Sequence, residues 1–202
     1  KLILFFFTPF LLNKLNFDIT IYYHYFLSGV LVMIAGMMGI VTGFVMLDER
    51  DGRISELLSV TPLGERGYLI NRLLFAAIPV PIYSVISIYL LGIITIPFMT
   101  VIILSLILSL YSSVIGLLIF LGAGDKVKGL TYAKGLNSIG VFAFTDLFSM
   151  KWLTILSYIF PPYWITQIID APDSSVYIII SVLVTLAWLS FLITRYLTRK
   201  QI

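Results

Sequence analysis

Four stretches of this chain, Ile21–Leu47, Leu73–Ile96, Phe98–Leu121 and Ser174–Thr194, run for 21 to 27 residues without a formal charge. A helix of about 20 apolar residues crosses a hydrocarbon layer roughly 30 Å thick. Inside lipid every backbone N–H and C=O must find a partner within the protein, which only helices and closed barrels achieve. The runs are continuous rather than alternating, so helices are predicted. The whole chain is 60% hydrophobic and 11% charged, against about 25% charged residues in a soluble domain. It reads as an all-α integral membrane protein forming a single domain over residues 1–202.

The charge that is missing from these runs is concentrated elsewhere. Asp48–Arg72 holds nine of the 23 charged side chains within 25 residues. One charge at the centre of a spanning helix costs about 2.5–3.5 kcal/mol, so nine would cost on the order of 25 kcal/mol. The stretch therefore lies outside the lipid. Ile54, Leu57 and Leu58 fall at i, i+3 and i+4 and share one face of a short amphipathic helix. Thr61-Pro62 ends it, because the residue before a proline is driven out of the α region.

The rest of the chain is organised around these elements. Leu2–Leu12, about 16 Å of helix, is too short to span alone; it is expected to be the outer half of a first helix whose natural start is missing. Asn13–Thr20 is a polar loop. Pro79 and Pro81 predict a kink in the Leu73–Ile96 helix, and Pro97 a turn. Gly122–Lys134 is expected to be a basic loop. Residues 135–169 are broken by Asp146 and by Pro161-Pro162, and are expected to cross once as a short helix and then dip back as a re-entrant piece. Asp170–Asp173 is a turn. Lys and Arg number four in Asp48–Arg72, three in Gly122–Lys134 and three after Thr194, against Lys14 and Lys151 in the alternate loops. The positive-inside rule then places Asp48–Arg72 and the C-terminus in the cytosol, and parity demands one net crossing between Lys134 and Asp170.

Few residues suit catalysis. The chain has no cysteine and one histidine, His24, which sits among tyrosines that suit an interfacial belt and has no second His to complete a metal site. Asp48, Glu49, Asp51 and Glu56 could gather a divalent cation, and Asp51-Gly52-Arg53 matches a fragment of membrane phosphotransferase motifs, but no further aspartates follow at helical spacing. No phosphate-binding loop is present, since Gly122-Ala-Gly-Asp-Lys126 has neither the spacing nor the Ser/Thr. The chain is thus expected to contain no catalytic residue, no metal site and no ATPase of its own. Ala35, Gly39 and Gly43 share a helix face where a neighbouring backbone can approach, either within the chain or from a second subunit. Ser105, Ser109 and Ser113 form a stripe, either packing with local hydrogen bonds or lining a polar substrate route. The four spans contain no charge that would mark an ion or proton path. Energy is expected to come from outside the bilayer.

Glu49-Arg50, Gly52, Glu56-Leu57-Leu58, Thr61-Pro62-Leu63 and Tyr68, lying between the second and third membrane helices, resemble the cytosolic segment of ABC-2-type transporter permeases, in particular the drug or fluoroquinolone export permease branch. The likeness runs in helix order from about Asp18 to the C-terminus and includes Pro161-Pro-Tyr-Trp164. It implies a six-helix transmembrane domain, with the first helix truncated here, a coupling helix between helices 2 and 3, and a broken region around helix 5. It also implies pairing of two permease subunits, as homodimer or paralogous heterodimer, and a separate ATPase subunit that brings ATP and Mg. Ile54, Leu57 and Leu58 would enter a groove of that ATPase, with Glu49, Arg50 and Glu56 beside them. Arg53 departs from the family, which more often has a small hydroxyl residue there. The expectation that follows is a prokaryotic plasma-membrane exporter subunit working by alternating access on an amphipathic drug, lipid or peptide, with no nucleic-acid partner. The alternatives are a metal-dependent membrane transferase or hydrolase using the Asp48–Glu56 carboxylates, and a scaffold that recruits a cytosolic protein without transport.

Overall fold

The computed structural model describes residues 23–52, 54, 64–92, 94–148 and 150–199. The proposed first helix at 2–12, the 13–20 loop and the Glu56, Leu57 and Leu58 positions lie outside them. Helix α1 spans Tyr23–Asp51, α2 Gly64–Ala77, α3 Pro79–Leu91, α4 Phe98–Gly122 and α5 Lys126–Asn137. A 3-10 segment, Ser138–Phe148, continues α5, followed by α6 Lys151–Ser157, α7 Pro161–Asp170 and α8 Ser175–Arg199. Four helical stretches are long and apolar enough to cross a membrane: Tyr23–Asp51, Gly67–Leu91, Phe98–Gly122 and Ser175–Thr198. The chain is therefore an integral membrane protein whose described residues form only helices and the turns between them.

Helix α4 is the axis of the bundle and touches α1, α2, α3, α5, α7 and α8. Its composition suits that place: Leu104, Leu108, Leu117 and Ile119 are completely buried, and its serines and Gly116 let neighbours come close. The outer helices turn apolar side chains outward instead, among them Leu90, Ile82, Leu183 and Phe191. In water that surface would drive aggregation; in a bilayer it meets acyl chains of matching polarity.

Pro79 and Pro81 divide α2 from α3 while the path stays continuous, since Ile78 keeps helical angles and its N–H donates to Leu74 O at 3.0 Å. Pro81 has no N–H for the carbonyl four residues earlier, that of Ala77. The Ser109 hydroxyl of α4 donates to that carbonyl at 2.9 Å. Serine stripe and proline kink, read independently in the sequence, thus meet in one interhelical hydrogen bond. Ser109→Ala is expected to destabilise the fold by about 0.6–2 kcal/mol, whereas in a Pro81→Ala background the same change should cost much less, because alanine at that position restores the backbone donor. Thermal melts of the four variants in detergent check this. Helix α3 ends at Leu91, six residues before the Pro97 turn that the sequence predicts, because Gly92 takes φ 55° and closes the helix with its N–H on Ile88 O.

The Gly122–Lys134 loop expected from its basic composition is mostly helix. Asp125 adopts extended angles and its carboxylate accepts the Lys128 N–H at 2.8 Å, an N-cap that starts α5 at Lys126. That hydrogen bond also holds the Asp125 carboxyl below its ordinary range. Composition concealed the helix because its exposed face is basic while Gly129 and Ala133 face inward.

Residues 126–148 run the length of α1 in the opposite direction. Gly129 lies against Phe44 and Leu47, Gly140 against Val32, and the Phe144 ring over Gly29 and 6.5 Å from that of Tyr25. The 3-10 winding from Ser138 draws out about 2.0 Å per residue rather than 1.5, which lets a chain interrupted by Asp146 reach the far end. There α6 and α7 form a short helical pair joined at Phe160. His24 Nε2 is 3.6 Å from Asp170 Oδ1, and Thr100 donates to Pro172 O at 3.0 Å. These contacts place α7 and the turn after it opposite the charged stretch.

Candidate functional site

The Asp48–Arg72 end of the bundle gathers the charged side chains, and each of those described is held within the chain. Glu49, its side chain 12% exposed, points from the last turn of α1 toward α2. Tyr68 and Arg72, four residues apart on one face of α2, both reach it: the Tyr68 hydroxyl donates to Oε2 at 2.9 Å and the Arg72 guanidinium donates to Oε1. The Arg72 plane also lies over the Tyr68 ring, 5.9 Å from its centre. A carboxylate this enclosed is stable only with such partners.

Arg50, the next residue, turns to α4. Its guanidinium donates to Ala123 O at 3.1 Å, Gly124 O at 2.8 Å and Phe120 O at 3.4 Å, and stands 5.3 Å from the centre of the Phe120 ring. The last carbonyls of a helix lack intrahelical donors and carry the negative end of its dipole, so a cation is the natural cap. Asp48 pairs with Lys126 at the start of α5, and Asp51 lies 3.8 Å from Arg50. The three carboxylates of α1 thus point to three different cations. Among the described residues no group of three or more His, Asp or Glu has the geometry to hold a metal.

Consecutive residues of one helix end therefore fasten α2, α4 and α5 to α1. Ile54, just beyond, is exposed. Both flanks of the segment that contains Leu57 and Leu58 are anchored in the bundle. Sequence reading found the charges but missed the clamp; its signal was the Tyr68/Arg72 spacing of four, which puts an aromatic hydroxyl and a guanidinium on one helix face.

The small-residue face of α1 lies against α4 of the same chain. Ala35 is fully buried. A Cβ on Gly39 would collide with the Ser112 carbonyl oxygen and sit 2.7 Å from Ile115 Cβ, and one on Gly43 would be 2.8 Å from Ile119 Cβ. The serines are also interior: Ser105 donates to Ile102 O at 2.7 Å, Ser113 to Ser109 O at 3.3 Å, and Ser109 to Ala77. At the other end of the bundle Asp146 accepts from Gln167 Nε2 at 2.7 Å, a pairing not foreseen from sequence.

Searches of curated proteins and of solved structures each returned no match. A family model described as "Fluoroquinolones export permease protein Rv2686c-like" matches residues 1–193, nearly the whole of this chain of apolar helices. The chain is a membrane transport permease and belongs to the Rv2686c-like fluoroquinolone export permease family.

Proposed function

We propose that the chain is the membrane-spanning subunit of an ATP-driven exporter of amphipathic drugs, fluoroquinolones among them, and that it works by alternating access. A separate ATPase subunit supplies ATP and Mg and docks on the segment between α1 and α2 through Ile54, Leu57 and Leu58. A second permease subunit completes the transporter. The 48–72 stretch and the C-terminus lie in the cytosol, and residues 135–169 make one net crossing, which with the truncated first helix at 2–12 gives the six-helix arrangement.

The observation that carries this reading is the clamp at the charged end. A docking segment transmits force only if its flanks are fixed to the helices that must move. Glu49, Arg50 and Asp48 fix them to α2, α4 and α5, and α4 is the axis on which the bundle packs. The family's name supplies export and the drug class; the positive-inside count supplies the orientation.

The test is uptake into inside-out vesicles from cells co-expressing the chain with its partner ATPase. ATP-dependent accumulation of a fluorescent fluoroquinolone, abolished when the partner's ATP hydrolysis is blocked, is the expected result. Accumulation that follows a proton gradient and ignores ATP would overturn the reading.

A further inference from the structure

Opposite the charged end, the 3-10 segment and α6 enclose an open groove of about 420 Å³ lined by Asp146, Lys151, Thr154, Ile155 and Tyr158. This lies within the range of sites for drug-sized molecules, roughly 300–1,000 Å³. The groove brings one acid, one base and one aromatic ring together beside the aliphatic side chain of Ile155. The Asp146 carboxylate is fixed by Gln167, whose amide donates to Oδ2, leaving Oδ1 to accept from another donor. Lys151 is exposed, and among the described residues it has no ion-pair partner, although a carboxylate lines the same groove. Tyr158 is held at the rim: the Trp164 indole N–H donates to its carbonyl at 2.8 Å, and its ring lies 5.1 Å from that of Tyr163 and 5.6 Å from that of Trp164. The groove is therefore a prepared surface with two opposite charges that do not satisfy each other.

We propose that this groove binds a zwitterion, its ammonium on Asp146, its anionic group on Lys151 and its apolar body against Tyr158 and Ile155. A ligand with one charge would leave the other groove charge without a counter-charge; a zwitterion answers both through charge-assisted hydrogen bonds. Two sources carry this chemistry, a soluble aromatic amino acid-like drug and a phosphatidylethanolamine headgroup. As the exit-side substrate site of an exporter, the assignment rests on the transport reading above; as a binding site it does not.

The test is equilibrium binding to the purified chain in phosphatidylglycerol nanodiscs, without ATPase or ATP. The probes are norfloxacin, its ethyl ester, which keeps only the cation, and its N-acetyl derivative, which keeps only the anion. Asp146→Asn should weaken norfloxacin and the ester about tenfold, the loss of one charge-assisted contact, and leave the N-acetyl compound unchanged. Lys151→Gln should weaken norfloxacin and the N-acetyl compound and leave the ester unchanged. Lys151 is exposed and its replacement leaves the packing intact, so this arm stands even if Asp146→Asn fails to fold. Phosphatidylethanolamine added to the discs identifies the natural occupant: competition that both variants relieve assigns the headgroup, and its absence assigns the soluble drug, each supporting a zwitterion site. Unchanged binding in both variants, or equal weakening of all three probes, overturns it. Binding with this pattern in a chain that does not export would overturn the transport reading alone. Export by a chain whose binding ignores both substitutions would overturn the groove alone.

Discussion

Replacing Gly39 with leucine should lower stability by about 3 kcal/mol, toward the upper end of what overpacking costs, a fall in melting temperature of about 6–12 °C for a chain of this size. The cause is geometric. At Gly39 the first atom of any side chain meets the Ser112 carbonyl and Ile115 Cβ of α4, and neither is the free end of a flexible side chain. The helices would have to part along their whole seam, which includes Gly43 against Ile119 and Gly116. Gly36, one residue after Ala35 on the same helix, provides the control. A Cβ there meets nothing within 4 Å, so Gly36→Ala should be neutral or stabilise by roughly 0.5–1 kcal/mol through helix propensity alone. Melting curves of the two variants in detergent separate close packing from a general intolerance of side chains on α1.

Arg72→Ala should cost about 2–3 kcal/mol, below the 3–5 kcal/mol for breaking a fully buried pair because both side chains keep some contact with solvent. It strands the Glu49 carboxylate with only the Tyr68 hydroxyl. Glu49→Gln should recover part of that loss in the Arg72→Ala background, since a neutral amide needs no counter-charge. A double-mutant cycle on thermal stability measures the coupling; additive losses would show that the pair does not join α1 to α2. In transport the same variant should loosen one flank of the docking segment, lowering the ATP-dependent rate more than drug binding.

Most of the architecture could be read from the uncharged runs, because their length alone demands helices in lipid. The kink at Pro79/Pro81 follows from covalent geometry, whereas the hydrogen bond that tolerates it needed a serine well beyond α3 in the chain, on α4, a pairing that local patterns do not specify. The expected loop at 122–134 shows where composition misleads: lysines marked it as solvated, which it is, but solvation does not prevent a helix once Asp125 caps its start. The region 135–169 reads as irregular in the sequence, but its 3-10 stretch leaves no local signature there, and its Phe144 packs over Gly29, more than a hundred residues earlier. At the charged end, the resemblance implies that Glu49 and Arg50 stand at the rim of the ATPase's groove as docking residues. The structure adds that both face inward, to Arg72 and to the end of α4. Their positions depend on tertiary contacts 19 to 74 residues away, beyond the reach of any periodicity.

On the proposed transport reading, energy enters through the segment between α1 and α2. Leu57→Asp/Leu58→Asp places two carboxylates on the apolar face of that segment while leaving the Glu49–Arg72 and Arg50–α4 contacts intact. The direct measurement is co-purification of this variant and of the native chain with the partner ATPase from the same membranes. The expected result is native-like folding and membrane insertion with ATPase recovery reduced at least tenfold, the effect of burying two unpaired charges in a docking groove. Undiminished recovery of the ATPase on the folded variant would contradict it.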